Sequence, residues 1–194
     1  DAFSILRSGQ LGPALNLRYA EREARSIGAR FPDARILLRQ DATKARVKAL
    51  IGEAGLIHFA THGELNEQDP LASALLLAPE GSESGRLEVR ELFGLDLVAR
   101  LVVLSACETG LGKLSQGDEL VGLQRAFLYA GAPAIVTTLW KVDDRASFLL
   151  MRDFYDHLKA RGPAEALRRA QGAAMGEFPD PFFWAAFTLT GMPQ

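Results

Sequence analysis

Two short stretches carry side chains whose types and spacing could do chemistry together. Leu101-Val102-Val103-Leu104-Ser105-Ala106-Cys107 is a largely apolar run ending in the only cysteine of the chain. Such a run marks a strand buried on both faces. Glu108-Thr109-Gly110-Leu111-Gly112 follows, with glycines that let the backbone turn. Upstream, Leu56-Ile57-His58-Phe59-Ala60-Thr61-His62-Gly63 has the same form: a β-prone run, a reactive side chain, then glycine. If both runs lie parallel in one sheet, His62 and Cys107 emerge at one edge, at the carboxyl ends of their strands. Open α/β sheets place their sites there. A thiol beside an imidazole implies nucleophilic catalysis on a carbonyl, which also needs backbone donors for the oxyanion. Gly63 lets its own N–H approach a carbonyl with no side chain in the way, and the N–H of Cys107, at the turn after a strand, could be the second donor.

Each feature has a plainer reading. A lone cysteine at the end of a buried strand is commonly a small inert apolar residue; the histidine paired with it argues for function. The separation, 107 − 62 = 45 residues, is close to the roughly 50 by which the caspase histidine precedes its cysteine. The residues around Cys107 do not match the caspase signature. His58 and His62 would share one face of a helix, but on a strand they stand about 13 Å apart, too far to share a metal. His58 is therefore read as a packed or hydrogen-bonded residue, and no metal is expected. Gly110-Leu111-Gly112-Lys113-Leu114-Ser115 fails the Walker pattern, because Leu114 follows the lysine and Cys107 stands where a glycine belongs. Asp143 and Asp144 read as a helix N-cap. Trp140 and Trp184 read as core or pocket wall.

The elements that must position these residues follow from periodicity. Leu17, Ala20, Ala24, Ile27 and Phe31 give an amphipathic helix ended by Pro32, and Arg35 to Leu38 a short strand. Asp41 or Thr43 caps a helix with Val47, Leu50, Ile51 and Ala54 inward. Ala74 to Ala78 and Arg86 to Val89 form a hairpin around a long turn, followed by a short helix over Arg90 to Leu95. Leu120, Leu123, Phe127 and Ala130 mark a helix stopped by Gly131 and Pro133, before a strand from Ala134 to Leu139. Asp143 or Asp144 caps a helix with Ala146, Leu150, Phe154 and Leu158 inward. Gly162-Pro163 separates it from another, and the aromatic-rich 182–190 segment ends as a strand. Strands alternating with helices indicate a largely parallel α/β sandwich. Residues 1–13 read as an irregular lead-in from a longer protein and 14–194 as a single domain.

The chain has 194 residues, 48% hydrophobic and 24% charged, with a net charge of −2. That suits one globular domain and gives no electrostatic reason to expect nucleic acid or an anionic membrane. One cysteine excludes an internal disulfide and fits a reducing, cytoplasmic compartment. No apolar run is long enough to span a bilayer.

Ala60-Thr61-His62-Gly63, Ser105-Ala106-Cys107-Glu108-Thr109-Gly110, Gly117-Asp118-Glu119-Leu120 and Ala130-Gly131-Ala132-Pro133 resemble the blocks of the CHAT domain. So do Leu139-Trp140-Lys141-Val142-Asp143-Asp144 and Phe183-Trp184-Ala185-Ala186-Phe187, and the likeness runs from about Leu17 to Met192. CHAT domains are caspase-like cysteine peptidases of the group that includes separase, often fused behind tetratricopeptide repeats. The resemblance implies a caspase-like three-layer α/β sandwich with helices on both faces of a mostly parallel sheet and a hairpin insertion. It implies His62 as general base, Cys107 as nucleophile, the Gly63 and Cys107 amides as oxyanion hole, and no cofactor. It also suggests a second reading of Asp143 and Asp144, as the wall of a pocket for a basic residue before the cut, with Trp140 beside them. Asp118 and Glu119 compete for that role or order the loop after Cys107. The expected function is a cysteine endopeptidase, within a multidomain bacterial-type protein, acting on a protein or peptide partner. Two alternatives stand beside it: a non-catalytic or latent interaction and signalling module governed by flanking domains, and a cysteine amidohydrolase, which would place an acid or lysine beside the thiol.

Overall fold

The two runs that end in His62 and Cys107 lie side by side at the centre of a sheet. The computed structural model describes residues 3–6, 19–66, 68–105, 107, 108 and 118–192. In chain order these form β1 (Phe3–Leu6), α1 (Ala20–Gly28), β2 (Ala34–Leu37), α2 (Lys44–Ile51), β3 (Leu56–Phe59), β4 (His62–Glu64), β5 (Ala74–Leu76) and β6 (Arg86–Glu88). There follow α3 (Val89–Leu92), β7 (Leu101–Leu104), β8 (Cys107–Glu108), α4 (Asp118–Tyr129), β9 (Ala134–Thr138), α5 (Asp144–Glu177) and β10 (Phe187–Gly191). Six strands make the main sheet in the order β10-β9-β7-β3-β1-β2, and four make a second sheet in the order β6-β5-β4-β8. All pairs of the main sheet are parallel except β9 with β10.

Alternation along the buried strands separates two cores. Ile57, Phe59, Val102, Leu104 and Ile135 meet α2, α3, α4 and the second sheet. Leu101, Val103, Ala134 and Val136 meet α1 and α5 on the other face. The sheet is thus covered on both sides, the three-layer arrangement expected of near-continuous apolar strands. The expected hairpin is β5–β6, but it does not stand apart: β5 pairs with β4, which builds it into the second sheet. Among the described residues, no helix is long and apolar enough to cross a membrane.

Local signals set the helix ends. Thr43, rather than Asp41, caps α2 by accepting the Arg46 N–H. Asp143 caps α5, accepting the N–H groups of Arg145 at 3.0 Å and Ala146 at 2.9 Å. The α5 segment is two helices broken at Gly162, whose φ of 73° and ψ of 167° are non-helical. That matches the separation read from Gly162-Pro163. After α4 the chain reverses at Gly131 with φ 114°, where an added Cβ would lie 2.7 Å from the Leu97 carbonyl oxygen.

Three expectations change. Residues 3–6 are not irregular: β1 pairs in parallel with β2 on one side and β3 on the other. A four-residue run is too short to show a period, and its strand state comes from partners far along the chain. The short helix after the hairpin starts at Val89 and ends at Leu92, earlier than the expected 90–95, because the Glu91 carboxylate accepts the Glu88 N–H and fixes the first turn there. Each central run is two strands rather than one. Leu17 of the expected first helix, and the residues of the expected 1–13 lead-in other than 3–6, lie outside the described residues.

One polar cluster interrupts the α1–α5 core. His58, on the same strand as Ile57 and Phe59 but on the opposite face, is fully buried. Its Nε2 lies 2.8 Å from Glu23 of α1 and its Nδ1 3.0 Å from the Tyr155 hydroxyl of α5. Burial, and then the Glu23 charge, push the Tyr155 hydroxyl well above its ordinary pKa, so it stays protonated. Replacing His58 with Phe strips Glu23 of its partner inside a dry core. The expected loss is about 3 kcal/mol or more in urea unfolding; a loss below about 1 kcal/mol would show that these hydrogen bonds contribute little. Gly131→Ala combines an unfavourable φ with a backbone clash, so the same measurement should show a loss of at least about 1 kcal/mol. An unchanged midpoint would mean that the turn relaxes freely.

Candidate active site

The two sheets join at the residues of interest. β3 pairs with β7 up to Phe59↔Leu104, and β4 resumes the pairing with β8 at His62↔Cys107. The offset is the same in both ladders (104 − 59 and 107 − 62 are each 45), so the two chains leave the main sheet together without slipping. Neighbouring strands lie about 4.8 Å apart and register partners share a face. His62 and Cys107 are therefore adjacent positions at the carboxyl end of the central parallel pair, the edge expected from the sequence.

Several contacts hold this junction. Thr61 is fully buried, and its hydroxyl donates to the carbonyl of Leu76. Leu76 is in turn the register partner of His62 on its other side. Arg86, on β6, reaches across the sheet to the Glu64 carboxylate and to the Ala72 carbonyl at 2.8 Å. His62 is only 4% exposed, so its ring has little rotational freedom. Gly63 differs from a structural glycine: an added Cβ would meet no described atom within 4 Å.

The remaining expected residues lie on other elements. β9 pairs in parallel with β7, so the segment after it, Leu139 to Asp143, leaves from the same edge of the main sheet. Trp140 packs against the α1–α5 core and donates its indole N–H to the Phe182 carbonyl at 3.0 Å. The Asp143 carboxylate is the α5 cap, and Asp144 accepts the Tyr19 N–H at 2.7 Å. Both acids therefore have architectural work, which accords with the capping reading. Asp118 is the first residue of α4, with Glu119 next. The glycine-rich segment 109–117 lies outside the described residues. Sequence reading did not find the hydroxyl of Thr61 as the clamp on the bend, nor Glu23 and Tyr155 as partners of His58. These lie 35 and 97 residues from it, and no local pattern spans such gaps. Among the described residues, no group of three or more His, Cys, Asp or Glu is placed to hold a metal ion.

Comparison with known proteins agrees with this architecture. Two curated relatives, both named tetratricopeptide repeat protein 28, match 77% of the chain: that of Mus musculus at 32% identity and that of Homo sapiens at 29%. The chain spans 8% of the length of either. Among solved structures, the separase of Saccharomyces cerevisiae, in complex with securin, matches all of the chain and 12% of its own, at 13% identity and a TM-score of 0.66. The Arg specific cysteine proteinase gingipain R matches 99% of the chain and 46% of its own, at 12% identity and a TM-score of 0.60. Identities this low speak for the fold alone, which is caspase-like. The family model of the CHAT domain matches residues 6–192, and the chain belongs to the CHAT domain family.

Proposed function

We propose that this domain is a cysteine endopeptidase using His62 and Cys107. The observation that carries the reading is their register pairing at the carboxyl end of the central parallel strands. The His62 imidazole takes the thiol proton of Cys107. The thiolate adds to the substrate carbonyl carbon, and the backbone N–H groups of Gly63 and Cys107 hold the oxyanion. The C–N bond then breaks as the imidazolium returns its proton to the leaving amine. Water hydrolyses the thioester, releasing a carboxylic acid and restoring the thiol. That no described atom lies within 4 Å of a Cβ built on Gly63 supports a carbonyl at that place. The two solved relatives of this fold include a cysteine proteinase, which supports peptide hydrolysis as the reaction class.

The finer part of the reading concerns substrate and setting. A carboxylate that accepts one or two backbone N–H groups keeps lone pairs for a cation. In this reading Asp143 and Asp144, together with Asp118 and Trp140, border the position of a basic residue before the scissile bond. The names of the curated relatives support fusion to tetratricopeptide-type repeats; in this reading such repeats present a polypeptide substrate to the domain, in the reducing, cytoplasmic compartment that a single cysteine fits. A latent or non-catalytic module governed by such flanking repeats is the competing reading, and the chain's small share of those relatives favours keeping it as an outcome of the test.

The direct test is the alkylation rate of Cys107 by iodoacetamide against pH, for wild type and His62→Ala. The expected midpoint lies at least about one unit below the roughly 8.5 of a free thiol and moves back up in the variant. A slow reaction with an ordinary midpoint, the same in both proteins, would overturn the poised dyad and favour the latent module. For the reaction itself, Gly63→Ala should leave the unfolding midpoint nearly unchanged, since the added methyl meets no described atom within 4 Å. It should cut the cleavage of a peptide library roughly 100-fold by entering the oxyanion position. Cleavage that survives Cys107→Ala would remove the mechanism altogether.

A further inference from the structure

The opposite edge of the main sheet carries a second concavity. A cavity of about 540 Å³ opens between the end of α1, the first residues of β3 and β7, and the break in α5. Its size falls within the roughly 300–1,000 Å³ range of small-molecule sites. Leu56 and Leu101, which are register partners, line it together with Phe31, Leu158 and Pro163. Arg30, Arg100 and Lys159 line it too, and Asp33 is the one carboxylate among these lining residues. Arg30 is steadied by Asp156 at 2.8 Å and by the Ser26 hydroxyl at 2.9 Å. Three cations against Asp33 and the Asp156 that pairs with Arg30 leave an excess of one positive charge, opposite in sign to the net charge of −2 of the whole chain.

An apolar lining with cations around it matches one class of ligand. A guanidinium presents five N–H donors and accepts none, and an ammonium presents three, so the polar part of the cavity selects an acceptor-rich anion. Phe31, Leu56, Leu101, Leu158 and Pro163 select an apolar body attached to that anion. Six residues separate Leu56 from His62 and Leu101 from Cys107, about 20 Å along extended chain, so the cavity is distinct from the candidate active site. We infer that this cavity binds a small organic anion, a carboxylate or phosphate monoester carrying an apolar group, against the starts of β3 and β7. It stands whether or not the His62–Cys107 reading holds.

The test is a titration of the ¹⁵N-labelled 194-residue chain followed by amide chemical shifts. The probes are 4-phenylbutyrate, phenyl phosphate and the neutral 4-phenylbutanol. The expected result is saturable shifts at Gly55, Leu56 and Gly162 with a Kd of roughly 1 mM for at least one anion, and about tenfold weaker binding of the alcohol. The tighter of the two anions identifies the head group. Arg100→Gln/Lys159→Gln should weaken the anion about tenfold while the dispersed spectrum persists; Arg100→Glu alone serves if the double variant fails to fold. Equal binding of the alcohol, equal binding by the charge variants, or no shifts at these amides up to about 10 mM would overturn the inference.

Discussion

The parallel pairing of β3 with β7, carried across the sheet junction into β4 with β8, is the constraint on which the rest of the structure depends. The pairing is set where both strands are buried on both faces, by apolar residues that alternate between two cores. A slip of one residue would turn every inward side chain to the wrong core, so the register there is strongly specified. Because the same offset of 45 persists beyond the bend, the packing that fixes Phe59 against Leu104 also fixes His62 against Cys107. Placement of the candidate dyad is thus a consequence of core packing several residues away.

The second sheet contributes what the first cannot. It covers one core with Leu75, Leu77 and Leu87, and it gives the departing strand of His62 a partner on its far side in β5. Without β5 and β6, β4 would be a three-residue edge strand, too short to hold its own pairing. Thr61 and Arg86 tie the junction with hydrogen bonds that cross between strands. On the opposite face, α1 and α5 are locked to β3 through Glu23, His58 and Tyr155, a dry cluster in which both ring nitrogens are engaged. Buried polar groups of this kind are costly unless satisfied, and satisfied they fix one arrangement of the layers.

The two ends of the central strands differ in chemistry. At the carboxyl ends the chain brings together the positions of His62 and Cys107, where the reaction is proposed. At the amino ends it offers an apolar hollow edged by cations, suited to recognition rather than reaction. Both arise from the same geometry. Strands that begin and end between helices of unequal length leave hollows at the sheet edges, and loop residues decide what each hollow contains.

Much of this was legible in the amino-acid sequence because the signals are local. The apolar runs, the Gly162-Pro163 break, the pairs of cap candidates (Asp41 or Thr43, Asp143 or Asp144) and the hairpin over 74–89 each lie within a few residues, and the blocks around His62 and Cys107 are characteristic enough to place the family. The sequence by itself determined the layered α/β class, the order of most elements and the two strand ends, at His62 and Cys107, that come together. Only the tertiary structure decided the rest. It made Phe3–Leu6 a central strand and divided each site-bearing run between two sheets. It paired His58 with residues 35 and 97 positions away and gave Asp144 to the backbone of Tyr19. Those outcomes depend on groups far apart in the chain, whose meeting is set by packing that no short window of residues contains.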